Sequence, residues 1–519
     1  MFENRSFDHI LGAMPGVNGL LVGGAVGPDF YNTMNPTQEM GGDNPATWPV
    51  PIVPSATPYP TLPTESDLIS HDFNHDFGDG MSQDLYGPGT TGVIGGQPQG
   101  NPAVTYPATN SGFLSTVAYN VGTSQHPVNG NGALSYFAWE SLQVFHTLAK
   151  AFLVCDAWHC DMPGHTAPNR AFMHCATTGT LRIDDNDGIS SMVNELTVFE
   201  RIHQTGQTWK VYWPGANLDT DWLNEQVMSQ LYDENDPTAF NVTKVPIKNF
   251  FTDLQTGQLP FYSFVMCWND GPRDTSMHPA SQVEPGEDML ACVYNALRAS
   301  PYWANTLLVV NFDENGGMYD HVAVPRTTPP VGGSPVSTWD SQYTGRTYSF
   351  DFSVLGVRTP VLLISPWLNA GVCGTQYQNT SVLRFLQDKL PRANPADPYY
   401  LTGRDLAAPS LAPVFDYDQF GMREMRADCP SNITTYGGLD ACTQFWADIT
   451  PTAESLAAPP APHAARLTRT YLAPLPGHPD SGKPLTRDFA TVGEMRAYAD
   501  ERRAAALAYV RAKRAQPPA

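Results

Sequence analysis

Asp313 and Glu314 stand side by side at the end of an apolar, β-branched run, residues 307–312, and are followed by Gly316 and Gly317. The run has the length and composition of a buried strand. The glycines fit a tight turn, so the two carboxylates are delivered to the carboxyl edge of a sheet, where open α/β folds bind ligands. Asp320 and His321 follow within the same loop. Hard oxygen donors beside an imidazole point to metal-assisted chemistry. An isolated acidic pair usually only solvates a strand end. Strand, acid pair, double glycine and His-Val return together set this stretch apart.

A second stretch, residues 158–170, is a loop fenced by Pro163 and Pro168 that leads into helix-like residues 171–176. Thr166 falls just ahead of that helix, where backbone N–H groups and the helix dipole favour an anion. The plainer reading makes Thr166 an N-cap. Residues 71–76, HDFNHD, have the composition of a metal cluster, although loop His and Asp more often cap turns.

The rest of the chain must position these groups. Its 519 residues, 41% hydrophobic and 11% aromatic, are enough for a large α/β unit. We place that unit at residues 1–450, followed by an Ala/Pro-rich extension, 451–519, in which Thr491 and Glu494 form a capping box for a helix to about residue 514. A net charge of -22 argues against nucleic acid and against a polybasic membrane-binding surface, but leaves a lipid headgroup open as substrate. No apolar run is long enough to predict a transmembrane anchor. The eight cysteines include no CxxC pair, so a zinc cluster is not expected. Cys429 and Cys442 flank a polar loop and fit a disulfide as well as they fit free buried thiols.

Residues 19–132 are dense in Gly, Pro, Asn and Thr and read as long loop insertions. Beyond them, helical spacing at 135–151 precedes a strand at 152–155. Further helices are predicted at 195–205, 287–300 and 380–390, and strands at 209–213, 260–267 and 360–365. Helices interleaved with buried strands predict an α/β fold with a mostly parallel central sheet covered on both faces. Met1 and Phe2 read as the last two residues of a strand. With only those residues ahead of them, Glu3 and Asn4 are expected to be poorly held, and a strand of about five or six further residues would hold them better. No leader sequence is visible.

With these residues in hand, the chain resembles the bacterial phosphoesterase family of phospholipase C and acid phosphatase A, within the alkaline phosphatase superfamily. The resemblance rests on ENRSFDHILG at 3–12, DMPGHTAPNRAFMHCATTG at 161–179, HPASQVEPGE at 278–287, DENGGMYDHV at 313–322 and GVRTPVLLISPW at 356–367, in that order. It implies an alkaline-phosphatase-like sheet with a divalent metal ion, of unspecified identity, at its carboxyl edge. By position, Glu3, Asn4, Thr166, Asp313 and Glu314 are the implied metal ligands, Thr166 the implied nucleophile and His278 the implied active-site histidine. Asn169 and His321, within the same motifs, are the candidates for holding substrate. The implied reaction hydrolyses a small phosphate ester or a phospholipid headgroup through a phosphothreonine intermediate, and the implied location is secreted or periplasmic.

The chain departs from the family at Asn315, where the family commonly reads DEHGG, and at Asn379, where it commonly reads HTS. These changes keep a non-catalytic phosphate- or lipid-headgroup-binding relative as the alternative. A sulfatase is a weaker one, because residues 160–163 lack the C/S-x-P-x-R pattern of that branch.

Overall fold

The computed structural model describes residues 1–27, 133–178, 195–213, 244–267, 273–331 except 280, 347–391, 400–450 and 489–498 except 496, together with short segments at 31–34, 48–51, 53–54, 93–94, 110, 112–113, 337–340 and 453–457. Residues 71–76 lie outside this set. The fold is mixed α/β, and two sheets and the helices between them carry the candidate residues. For reference below, α1 is Phe7–Leu11, the hairpin strands β1 and β2 are Leu21–Val22 and Ala25–Val26, and α2 is Gln143–Ala151.

One sheet holds β3 (Leu153–Cys155), the next holds β4 (Trp209–Trp213), β5 (Lys244–Pro246) and β6 (Tyr262–Val265). In the latter, β4 lies between β5 and β6 and runs parallel to both. The sheet of β3 also contains β7 (Leu308–Val310), β8 (Val361–Ile364) and β9 (Gly371–Cys373), in the order β7-β8-β3-β9. Here β9 is parallel to β3, but β8 is antiparallel to both of its neighbours. So β3, β7 and β9 run one way and β8 alone runs the other. The reason lies outside the strands: Arg358, just ahead of β8, donates from Nε to Asp320 Oδ1 at 2.9 Å. The chain therefore re-enters the sheet from the edge by which it left β7.

The four residues of β8 are all buried, as befits a strand apolar on both sides. Leu362 and Ile364 join a core with Val154, Val310 and side chains of α2 and of α6 (Glu284–Ala299). Val361 and Leu363 join another with Leu153, with Met173 of α3 (Thr166–Cys175) and with Val382 and Leu383 of α7 (Thr380–Lys389). Alternate residues of one strand thus anchor helices to opposite faces.

Several boundaries differ from the sequence reading. The helix expected from 135 begins at Gln143, because Ser135 and Tyr136 pair instead with Val53 and Pro54. Cys442, on α8 (Ala441–Ile449), forms its disulfide with Cys292 of α6, and Cys429 is a free buried thiol. Of the two alternatives for Cys429 the free thiol holds, while α8 packs along α6 and brings Cys442 to Cys292 from 150 residues away. In the extension, Thr491 Oγ1 accepts from Glu494 N–H at 3.1 Å, and the Glu494 carboxylate accepts from Ala490 N–H at 3.0 Å. Among the described residues no helix is long and apolar enough to cross a membrane.

Candidate active site

Residues 2–5 lie alongside 311–314 like one further strand. Phe2 bridges Phe312 in parallel register, Phe2 N–H donates to Asn311 O at 2.8 Å and Asp313 N–H to Phe2 O at 3.1 Å. Arg5 N–H then donates to Glu314 O at 3.0 Å, and Glu3 N–H to Ser276 O at 2.9 Å. These bonds set Glu3 and Asn4 opposite Asp313 and Glu314. Asn4 adopts a left-handed backbone, φ 57°, and its N–H donates to Asp313 Oδ1 at 3.0 Å. The turn beyond the acid pair must be glycine. Gly316 has φ 62°, and a Cβ there would stand 2.5 Å from Asn4 O and 2.8 Å from Asn4 Cβ.

Thr166 is the first residue of α3, and His165, not Thr166, occupies the N-cap. The Thr166 hydroxyl instead donates to Asn4 Oδ1 at 3.1 Å. One turn further on, Arg170 donates from Nε to Asp313 Oδ2 at 3.0 Å and from Nη2 to Glu3 Oε1 at 2.8 Å. One helix face therefore presents a hydroxyl and a guanidinium to the acids. Glu3, Asn4, Thr166, Asp313 and Glu314 are all buried. Asp313 Oδ1 takes the N–H groups of Asn4 and Glu314, while Oδ2 takes one Arg170 bond and retains a lone pair. Glu3 and Asp313, linked through Arg170, lie with the Asn4 amide oxygen and the Thr166 hydroxyl, and Glu314, whose carboxylate accepts from Gly316 N–H, follows Asp313; these are hard oxygen donors of the kind a divalent cation takes.

His278 lies on the loop that Glu3 reaches. Its Nδ1–H donates to Pro279 O at 2.9 Å, which makes Nε2 the proton-accepting nitrogen. Arg5 braces the same loop through Met277 O and Ser281 O, and burial lowers its pKa to about 9 against the opposing charge of Asp274. Behind the loop that carries Thr166, burial pushes the Asp161 carboxyl up, with Arg404 and Thr380 opposing. Asp161 accepts from Thr380 N–H at 2.9 Å and Thr380 Oγ1 at 2.8 Å, which ties the loop to α7.

The two substrate candidates sit elsewhere. Asn169 turns its amide back on its own loop: Oδ1 accepts from Met162 N–H, and Nδ2 lies 3.1 Å from the carbonyls of Met162, Gly164 and His165. His321 pairs through Nδ1 with Asp8 Oδ2 at 2.7 Å and through Nε2 with Asn18 Oδ1 at 3.2 Å. Asp8, Asp320 and His321 are close enough together to suggest a metal group. Yet Arg358 Nη2 donates to Asp8 Oδ1 and Arg358 Nε to Asp320 Oδ1, while His321 N–H, Val322 N–H and Asp8 N–H complete the carboxylates. An ion-paired, fully hydrogen-bonded cluster of this kind has no need of a cation.

Sequence reasoning missed Arg170 and the role of Asn379. Arg170 had a signal: residues 166–170, T-A-P-N-R, have the spacing of C/S-x-P-x-R with Thr leading, six residues beyond the place where that pattern was sought. Asn379 Oδ1 accepts from Trp158 Nε1 at 2.9 Å and Asn311 Nδ2 at 3.2 Å, and its Nδ2 donates to Asp313 O at 3.1 Å. It braces the strand end that carries the acid pair. An apolar cavity of about 900 Å³, lined by Met1, Phe2, Phe264, Leu290, Val310 and Phe385 among others, includes none of the proposed ligands.

A family model described as the phosphoesterase family matches residues 1–390. The chain belongs to the phosphoesterase family and is a hydrolase of phosphoric esters. It is 28% identical over 455 residues to non-specific phospholipase C5 of Arabidopsis thaliana, covering 83% of this chain and 75% of that protein. It is 29% identical over 431 residues to non-hemolytic phospholipase C of Burkholderia pseudomallei, covering 75% and 54%. Among solved structures, a protein in the alkaline phosphatase superfamily from Vibrio parahaemolyticus matches with a TM-score of 0.32 at 13% identity, over 51% of this chain and 64% of that one. So slight a structural likeness bears no weight here.

Proposed function

We propose that this chain is a metal-dependent phosphoesterase of the phospholipase C type, with Thr166 as its nucleophile and a phospholipid headgroup or small phosphate ester as its substrate. The observation that carries the reading is the Thr166 hydroxyl on Asn4 Oδ1 at 3.1 Å, inside a buried set of acids. A hydroxyl serving as a helix cap would point to the N–H groups of its own helix; this one points into the donor set. Glu3, Asn4, Thr166, Asp313 and Glu314 would hold a divalent cation. When bound, such an ion lowers the pKa of a nearby hydroxyl and offsets charge on a phosphoryl oxygen.

The protein's own groups do the rest. Asn4 orients Thr166 through its amide oxygen, and Arg170 fixes Glu3 and Asp313 while balancing part of their charge. Attack by Thr166 Oγ1 on phosphorus breaks the bond to the alcohol and leaves the phosphoryl group on threonine, and the hydroxyl proton that Thr166 gives up is the one that the departing alcohol gains. His278, once protonated at Nε2, is suited to hand a proton to that alcohol. Water then cleaves the threonine ester. In place of direct contact with substrate, Asn169 shapes the loop that presents Thr166. The experiment is to measure bound metal by elemental analysis and to compare turnover of p-nitrophenyl phosphorylcholine with that of p-nitrophenyl phosphate. The reading expects a divalent ion and a faster reaction on the diester. Metal-free protein with full turnover contradicts it.

A further inference from the structure

Residues 10–28 of this strongly acidic chain contain no charged side chain. Within them β1 and β2 form an antiparallel hairpin, closed by Gly23 and Gly24 at φ 64° and 90°, as a two-residue hairpin turn requires. Its base is firmly seated. Leu20 is buried with Phe113, Tyr136 and Phe172, and its N–H donates to Gly12 O at 2.7 Å. Its tip is not. Leu21 is 37% and Val22 64% exposed, Gly23 to Ala25 face solvent, and a Cβ built on Gly16, Gly23 or Gly24 meets nothing within 4 Å.

The base also touches the catalytic side of the molecule. Asn18 N–H donates to Asp156 Oδ2 at 2.7 Å, Asn18 O accepts from Arg358 Nη1 at 2.8 Å, and Asn18 Oδ1 meets His321. His321 belongs to the loop that begins with Asp313 and Glu314. A projecting, uncharged apolar tip is thus joined by hydrogen bonds to the loop that carries the proposed ligands.

We propose that the β1–β2 hairpin is a wedge that inserts into the surface of a zwitterionic phospholipid bilayer and holds the Thr166 site at the headgroup layer. The role of the wedge in turnover rests on the phospholipase reading; its insertion does not. Charge selects the occupant. At net charge -22 the protein is repelled by anionic leaflets and by acidic partners. The tip itself has no group for an ion pair, and the phase that suits Leu21, Val22 and Ala25 is apolar and lies beneath an electrically neutral surface.

The test is co-sedimentation of the protein with sucrose-loaded phosphatidylcholine vesicles, at low and high salt, beside Val22→Asp and Val22→Leu. Wild-type protein and Val22→Leu are expected to bind equally at both salt levels, and Val22→Asp to bind about tenfold more weakly. Turnover of vesicle lipid should fall with binding, while turnover of soluble p-nitrophenyl phosphorylcholine stays unchanged. Because Val22 is exposed, melting temperatures should match; Ala25→Asp serves as the second variant if Val22→Asp fails to fold. Absence of wild-type binding, or Val22→Asp binding like wild type, overturns the proposal. So does a change from dimer to monomer in Val22→Asp, which would assign the tip to self-association. Vesicle binding lost in Val22→Asp by a protein that hydrolyses no diester upholds the wedge and removes the phospholipase reading alone.

Discussion

Two acid clusters share the 313–322 loop and differ in how their oxygens are used. In one, Asp313 and Glu314 meet Glu3, Asn4 and Thr166, with Arg170 bonded to one oxygen each of Glu3 and Asp313. In the other, Asp320 meets Asp8 and His321, and Arg358 bonds to both carboxylates at 2.9 and 3.0 Å. Burial pushes the Asp320 carboxyl up against the pull of Arg358. For Arg358, burial alone lowers the guanidinium pKa, and the charges of Asp320 and Asp8 more than reverse this. Among the described residues the acids of the second cluster are the more tightly gathered, with Asp8, Asp320 and His321 offering ligand atoms within 4.8 Å of one another, but the first brings a hydroxyl, Thr166 Oγ1, to its acids. Donor accounting, not acid density, separates the proposed reactive site from the Asp8–Asp320–Arg358 brace.

The largest effect expected from this contrast is on Thr166→Ala. Diester turnover should fall by about a thousandfold or more, with the melting temperature unchanged because the hydroxyl caps no helix end. Steady-state kinetics beside calorimetry would check both halves, and near-normal turnover would remove Thr166 from the mechanism.

Next in size is a paired comparison. Asp313→Asn should lose metal and activity together. Asp320→Asn should keep its metal content and lose about 3–5 kcal/mol of stability, the usual effect of breaking a buried ion pair. Elemental analysis and denaturant melts on both variants decide it, and the reverse pattern would exchange the roles of the two clusters.

Acid sharpens the contrast in a third way. Burial lowers His146 to about 4, against the Ile10 carbonyl, and His159 to about 3, against the Gly356 carbonyl. Both are neutral in the fold and take up protons more readily once unfolded. Their contribution is complete above pH 6.5 and is lost as pH falls toward 4 and 3, on the order of 2 kcal/mol each by pH 5. NMR titration of the two imidazole rings in the folded protein measures it; rings protonated at pH 5 would contradict it. The smallest effect is on Gly316→Ala. A left-handed alanine costs about 1 kcal/mol, and the new Cβ presses on Asn4 O from 2.5 Å. Metal affinity should drop severalfold by titration, with the Asp320 cluster unaffected.

Much of the fold was legible because burial writes itself into short apolar runs. The strand at 209–213 and the helix at 380–389 lie where their patterns place them. The direction of β8 was not legible, since it depends on Arg358 meeting Asp320 across 38 residues. Nor was the second cluster: Asp8 and Arg358 are 350 residues apart and share no local pattern. Within the site, Thr166 was found by its place before a helix. Arg170 was passed over because an arginine four residues along a helix reads as surface charge. The disulfide depended on which helices pack, information that cysteine spacing does not carry.

The most direct test of the Thr166 assignment is mass spectrometry of protein quenched with acid during turnover of p-nitrophenyl phosphorylcholine. The account predicts a phosphorylcholine adduct on the peptide containing Thr166, absent from Thr166→Ala and absent from metal-depleted protein. Wild-type protein that turns over rapidly and carries no adduct on that peptide, or carries it on another residue, would contradict it.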